Sequence, residues 1–187
     1  MGYHDHMQKI TDIDILGDKD VQLRVTRLSL AFLVVTLAAA ALLAVCGALE
    51  HVDVGWWWVA LALGVVVALP AHELVHGAAF KLLCPGCRVS FGFQDAFLYT
   101  KTDGAVAARG HMVAVLLAPA VLVTAALAAG ALAFGCPVLA VLLAGVHLSG
   151  CAGDLLMSAA ALNEPRCTHV VDTETGIALL SDVFEGA

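Results

Sequence analysis

The sequence predicts an all-α integral membrane fold: a bundle of four transmembrane helices with a small cytoplasmic β-hairpin between the second and third. Three observations predict it. First, 61% of the 187 residues are hydrophobic and 13% are charged, against roughly 45–50% and 25% in a soluble domain, and mean hydropathy is +0.92. Second, the apolar residues fall into four runs, each reaching the roughly 20 residues that cross a bilayer. Third, all 9 Lys and Arg fall on one side of those runs.

The first run is Leu28 to Leu49. The second is Val54 to about Leu83 and opens on Trp56, Trp57 and Trp58, an interfacial belt. The third runs from about His111 to Phe134, and Pro119 is expected to kink it. The fourth runs from Pro137 to about Leu162. Helices are predicted because backbone groups in lipid must satisfy their own hydrogen bonds. The first run is too long for the apolar core of a cleaved signal peptide, and Val45 before Cys46 poorly fits a lipoprotein cleavage site.

Lys9, Lys19, Arg24 and Arg27 precede the first run; Lys81, Arg88, Lys101 and Arg109 lie around the second connection; Arg166 follows the fourth run. The positive-inside rule makes that side cytoplasmic and puts both termini there. The expected location is a prokaryotic plasma membrane. The net charge of −7 sits outside the runs. No basic patch interleaved with aromatics is present, which argues against a nucleic-acid partner. The 6 cysteines are scattered, and the helical ones read as small hydrophobes rather than a disulfide framework.

Three stretches follow: a polar, loosely structured cytoplasmic segment at 1–27, a membrane core at 28–162, and a cytoplasmic tail at 163–187. Within the core, Val89, Phe91 and Phe93 alternate with polar or small residues, and Phe97–Thr102 also favours a strand. Residues 86–104 therefore read as a hairpin turning at Gln94-Asp95. An exposed edge at Val89–Phe93 or Phe97–Tyr99 could align an unwound substrate by strand addition. Val170-Val171 and Gly176 suggest one further strand and turn in the tail.

The chemistry centres on His72-Glu73-Leu74-Val75-His76, an H-E-x-x-H pattern. Four residues on a helix place both imidazoles on one face, one turn apart, where two nitrogens can share a zinc ion. Glu73 lies beside them, placed to take a proton from water. With 8 His and five Glu in the chain, the pattern has roughly a 1% chance of arising by accident. It also lies inside an apolar run, where ionisable groups are costly and mark function.

Asp154, in the fourth run, is the candidate third ligand. A buried aspartate costs about 2.5–3.5 kcal/mol on the mildest scale, and a metal would offset that cost. His72 lies 18 residues past Val54 and Asp154 lies 17 past Pro137, which puts both about 26 Å from the outer surface. A carboxylate bonded to a neighbouring helix is the alternative. His147, seven residues before Asp154 and on nearly the same face, could hydrogen-bond Asp154 or substrate, stabilise an oxyanion, or be a buried histidine bonded to a backbone carbonyl. His111 reads as interfacial.

Cys84-Pro85-Gly86-Cys87 could form a redox pair or a second zinc site with Cys167 and His169, but Pro-Gly there also simply ends a helix. Ser149-Gly150 lacks the upstream Gly of the intramembrane serine-protease pattern, because position 147 is His.

HELVHG at His72–Gly77, the strand pair, Leu117-Ala118-Pro119 and Gly153-Asp154-Leu155 together resemble the DUF3267 family of zincin peptidases. That family in turn is similar to the site-2 protease class of intramembrane metalloproteases. The resemblance covers roughly residues 50–180. It implies zinc as cofactor, His72, His76 and Asp154 as ligands, and Glu73 as catalytic base. It also implies a membrane-embedded peptidase that uses a zinc-activated water near the cytoplasmic face. Its expected partners are the lipid bilayer and a membrane protein or peptide substrate. One departure is that Gly precedes the aspartate here, where site-2 proteases carry Leu-Asp-Gly. The alternative is a membrane zinc-binding protein without hydrolysis, such as a sensor or transport accessory.

Overall fold

A computed structural model describes residues 7–48, 50–94 and 97–182. Helix α1 (Lys19–Val45) starts nine residues before the first apolar run. Asp18 sets that start, accepting the backbone N–H groups of Asp20 and Val21. Leu49, the last residue of that run, lies outside the described residues. Helix α2 (Val54–Leu83) is capped by Asp53, which accepts the Trp56 N–H. Helix α3 (Arg109–Ala133) runs unbroken through Pro119.

The fourth run divides into α4 (Pro137–Gly150) and α5 (Ala152–Asn163), whose axes differ by 57°. The break has a local cause. The Cys151 N–H is shared between the His147 and Leu148 carbonyls, at 3.2 and 3.1 Å, so the helix tightens for one turn behind Gly150.

Helices α1, α2 and α3 are each long and apolar enough to cross a membrane, and α4 with α5 could form one broken span. Their outward faces agree. Leu30, Val34, Val35 and Leu37 on α1, and Leu63, Val66, Val67 and Leu69 on α2, are each more than half exposed. A soluble monomer does not present apolar area on that scale to water, so a membrane protein is the consistent reading. Helix α3 sits centrally, packed on α2, α4 and α5. Helix α1 lies against α4 where Thr36 meets Gly145: a Cβ on that glycine would fall 1.8 Å from the Thr36 hydroxyl.

The all-α expectation is overturned. Alongside the five helices stands a four-stranded antiparallel sheet of β1 (Met7–Asp14), β4 (Val106–Ala108), β5 (His169–Asp172) and β6 (Gly176–Asp182), in the order β1-β6-β5-β4. A separate two-stranded sheet pairs β2 (Val89–Gln94) with β3 (Phe97–Thr102). Residues 7–14 are therefore an ordered strand and not a loose segment. Ile10 and Ile13 break strict alternation, and a bulge between Lys9 and Thr11 absorbs the mismatch. Asp95 of the expected Gln94-Asp95 turn lies outside the described residues.

The sheet seals one end of the bundle. Val170, Ile177 and Leu179 are fully buried against Met112, Val115 and Leu116 of α3 and Met157 and Ala161 of α5. Asp172 ties the hairpin to this sheet, accepting the Thr102 N–H at 3.2 Å and its hydroxyl at 2.5 Å. The Thr100 hydroxyl donates to the Glu73 carbonyl at 2.8 Å, and Phe91 packs over Gly77, where a Cβ would collide with its ring. The hairpin is thus fastened beside the H-E-x-x-H turn.

Gly145→Ala should cost about 1–3 kcal/mol by overpacking, read as a lower thermal unfolding midpoint in detergent. Thr36→Gly in the same chain removes the collision, so the two costs should be well below additive. Strict additivity would show that α1 and α4 do not meet there.

Candidate metal centre

Residues 72–76 lie past the middle of α2, and the turn from α4 into α5 swings Asp154 against them. The His72 Nε2 lies 3.0 Å from the His76 Nε2. The Asp154 carboxylate reaches both, with Oδ2 3.3 Å from His72 Nε2 and Oδ1 3.5 Å from His76 Nε2. The three side chains are only 16%, 9% and 14% exposed, so water does little to separate them. Asp154 also sits in the first turn of α5, where the helix dipole favours an anion.

This donor set fits a tetrahedral zinc ion. Metal–ligand distances of about 2.0–2.1 Å imply donors about 3.3–3.4 Å apart, close to the spacings found. The tautomers fit as well. The His76 Nδ1 lies 3.1 Å from the Val115 carbonyl. A carbonyl only accepts, so Nδ1 carries the proton and the Nε2 lone pair faces the cluster.

His72 is held from its other nitrogen. Its Nδ1 lies 3.3 Å from His147 Nε2, and His147 Nδ1 lies 2.8 Å from the Thr124 hydroxyl. With the His72 Nδ1–H donating to His147 Nε2, the His147 Nδ1–H donates to the Thr124 hydroxyl oxygen, so each ring N–H of the relay has an acceptor. His147 thus spends both ring nitrogens on protein partners.

A second group, His72, His147 and Cys151, could also surround a cation. Both groups depend on His72. A neutral imidazole that ligates through one nitrogen keeps its proton on the other, so the two sites exclude one another. Cys151 donates its thiol to the His147 carbonyl at 3.2 Å.

Glu73 sits in the wall of a cavity of about 340 Å³ between α2, α3 and α4, with His72 and His147 beside it. Leu69, Leu127, Leu143 and Val146 make the remaining wall largely aliphatic. The Glu73 carboxylate makes no hydrogen bond or ion pair with another described residue, so it is available to a molecule in the cavity.

The cysteine motif behaves differently. All six cysteines are free. Cys87 closes a turn onto the Cys84 carbonyl, and Cys167 donates to the His169 carbonyl. Among the described residues, these four side chains form no metal-capable group. His111 is exposed at the start of α3. Sequence reasoning missed the Val115 carbonyl, Cys151 and the partnership of Thr124. Thr124 had a signal, as a rare hydroxyl within an otherwise apolar run; a backbone carbonyl offers none.

No curated protein and no solved structure matches the chain significantly. A family model described as "Putative zincin peptidase" matches residues 65–169. Zincins take zinc, and the matched span contains every residue of the cluster just described. It covers more than half of the 187 residues, and the chain belongs to this family, DUF3267.

Proposed function

We propose that the chain is a membrane-embedded zinc peptidase that hydrolyses peptide bonds of membrane or membrane-proximal proteins near the cytoplasmic face. The convergence of His72 Nε2, His76 Nε2 and the Asp154 carboxylate beside a cavity that contains Glu73 carries this reading. His72, His76 and Asp154 would hold the metal. When bound, zinc supplies a Lewis acid for the scissile carbonyl and brings the pKa of water towards 7.

The chain's own groups do the rest. Glu73 takes a proton from the attacking water, whose hydroxyl adds to the carbonyl carbon. Glu73 then returns that proton to the leaving amine nitrogen as the C–N bond breaks. His147 and Thr124 keep His72 in the required tautomer. The aliphatic cavity suits an apolar side chain next to the scissile bond. The hairpin, paired only with itself among the described residues, offers a strand edge beside the site for an unwound substrate.

Purified protein should contain about one zinc per chain, as a three-ligand site with an open position requires. The His72→Ala, His76→Ala double variant should lose it by elemental analysis, and Asp154→Ala should weaken its retention. Unchanged zinc in the double variant would move the site elsewhere. Glu73→Gln should keep zinc while cleavage of membrane substrates, followed by mass spectrometry, slows about 10²–10⁴-fold. Wild-type cleavage in Glu73→Gln would leave a zinc-binding protein without this hydrolytic chemistry.

The orientation follows from charge. Residues 1–27 and 163–187 and the hairpin belong on the cytoplasmic side. A reporter inserted at Arg88 should read as cytoplasmic, and one at Glu50 as external. The opposite pattern would invert the protein in the membrane.

A further inference from the structure

We infer that Pro119 is a positioning residue for the metal centre: by lacking an N–H, it leaves the Val115 carbonyl open to receive and orient His76. The inference rests on the reading that His76 binds zinc through Nε2.

Within a helix, the carbonyl of residue 115 would accept the N–H of residue 119. Residue 119 is proline, in the interior of α3, and supplies none. An open carbonyl in a dry, apolar environment is costly, and Val115 is 0% exposed. Bulk solvent does not reach this buried residue. The donor that arrives is the His76 ring, with Nδ1 3.1 Å from the Val115 oxygen. Two needs are met by one bond. The carbonyl gains its partner, and His76 is locked with its proton on Nδ1 and its Nε2 lone pair towards Asp154 and His72.

The other helical proline shows the contrast. Pro70 in α2 opens the Val66 carbonyl in the same way. Pro70 and Val66 are exposed, and no side chain of the described residues reaches that carbonyl. The two prolines share a chemistry but not a use, and only the buried one faces a metal ligand.

The test isolates the N–H. Pro119→Ala restores a donor at 119 that competes for Val115. Lactic acid at 119, introduced as an α-hydroxy acid, has the same methyl side chain but an ester oxygen in place of the N–H. Zinc affinity is measured by chelator competition on the full-length protein in detergent, and needs no substrate. Pro119→Ala should bind zinc about 10–100-fold more weakly, the range typical for loss of a ligand's orienting partner. The ester variant should bind as wild type does, whether or not the alanine variant folds. Pro70→Ala should also match wild type.

Equal affinity in wild type and Pro119→Ala would overturn the inference. So would equal loss in the alanine and ester variants, which would implicate the ring, or a similar loss in Pro70→Ala, which would implicate helix shape generally. Failure of the underlying zinc reading looks different: the wild type itself would bind no zinc, or would bind it undiminished after loss of His72 and His76.

Discussion

Two imidazole nitrogens 3.0 Å apart, with one carboxylate against both, place four electron-rich atoms around one point. With their lone pairs turned inward, such atoms repel unless a proton or a metal cation lies among them, and burial strengthens the repulsion. Every neighbouring element serves to hold that arrangement. Helix α2 supplies the one-turn spacing of the histidines, and the bend after Gly150 supplies the carboxylate. Helix α3 supplies the backbone carbonyl and the hydroxyl that settle where the protons go. The cluster is a junction of four helices, α2 to α5, and not a property of the H-E-x-x-H motif alone.

The sheet explains how those helices stay registered. A bundle in lipid gains little from burying apolar side chains, because lipid tails are as apolar as leucine. Outside the lipid, the ordinary hydrophobic effect returns. Val170, Ile177 and Leu179 exploit it, closing over the ends of α3 and α5 and linking strands that lie at opposite ends of the sequence. The hairpin is fastened to this cap through Thr102 and Asp172, and to α2 beside His72 and His76 through Thr100. Burial pushes the Asp172 carboxyl above its ordinary range despite the two Thr102 donors. A carboxyl kept there marks a junction where the two Thr102 donors and the geometry offset part of the cost of burial.

How much of this was legible depended on whether the signal was local. The spacing of His72 and His76 is a property of five residues, and the strand pair after α2 alternates visibly. The apolar runs of α1, α2 and α3 announce themselves by length. The bend within the fourth run was hidden because Ala152–Leu162 still reads as an apolar continuation of the helix before it, interrupted only by Asp154 and Ser158, and the hydrogen bonds at Cys151 reveal the break. Strand β1 was hidden twice: its alternation is broken by a bulge, and its partner β6 lies some 170 residues away. Long-range pairing of this kind overrides local propensity. His147 was visible as a residue but its purpose was not, since that depends on Thr124 across a helix interface.

The Val115 carbonyl marks a deeper limit. Side-chain patterns report what a residue is, whereas this atom matters because of what a different residue lacks. Proline is read in a sequence as a bend or an ending, and α3 neither breaks nor ends at position 119. In lipid, a missing N–H leaves an acceptor that the solvent cannot satisfy. A histidine one helix away answers that demand. The same bond then decides which of its nitrogens is free to meet a cation. At Val115 the absence of a donor thus serves the construction of the site, whereas the same absence at Pro70 opens a carbonyl that no described side chain meets, so what a helical proline does depends on what faces the carbonyl it opens.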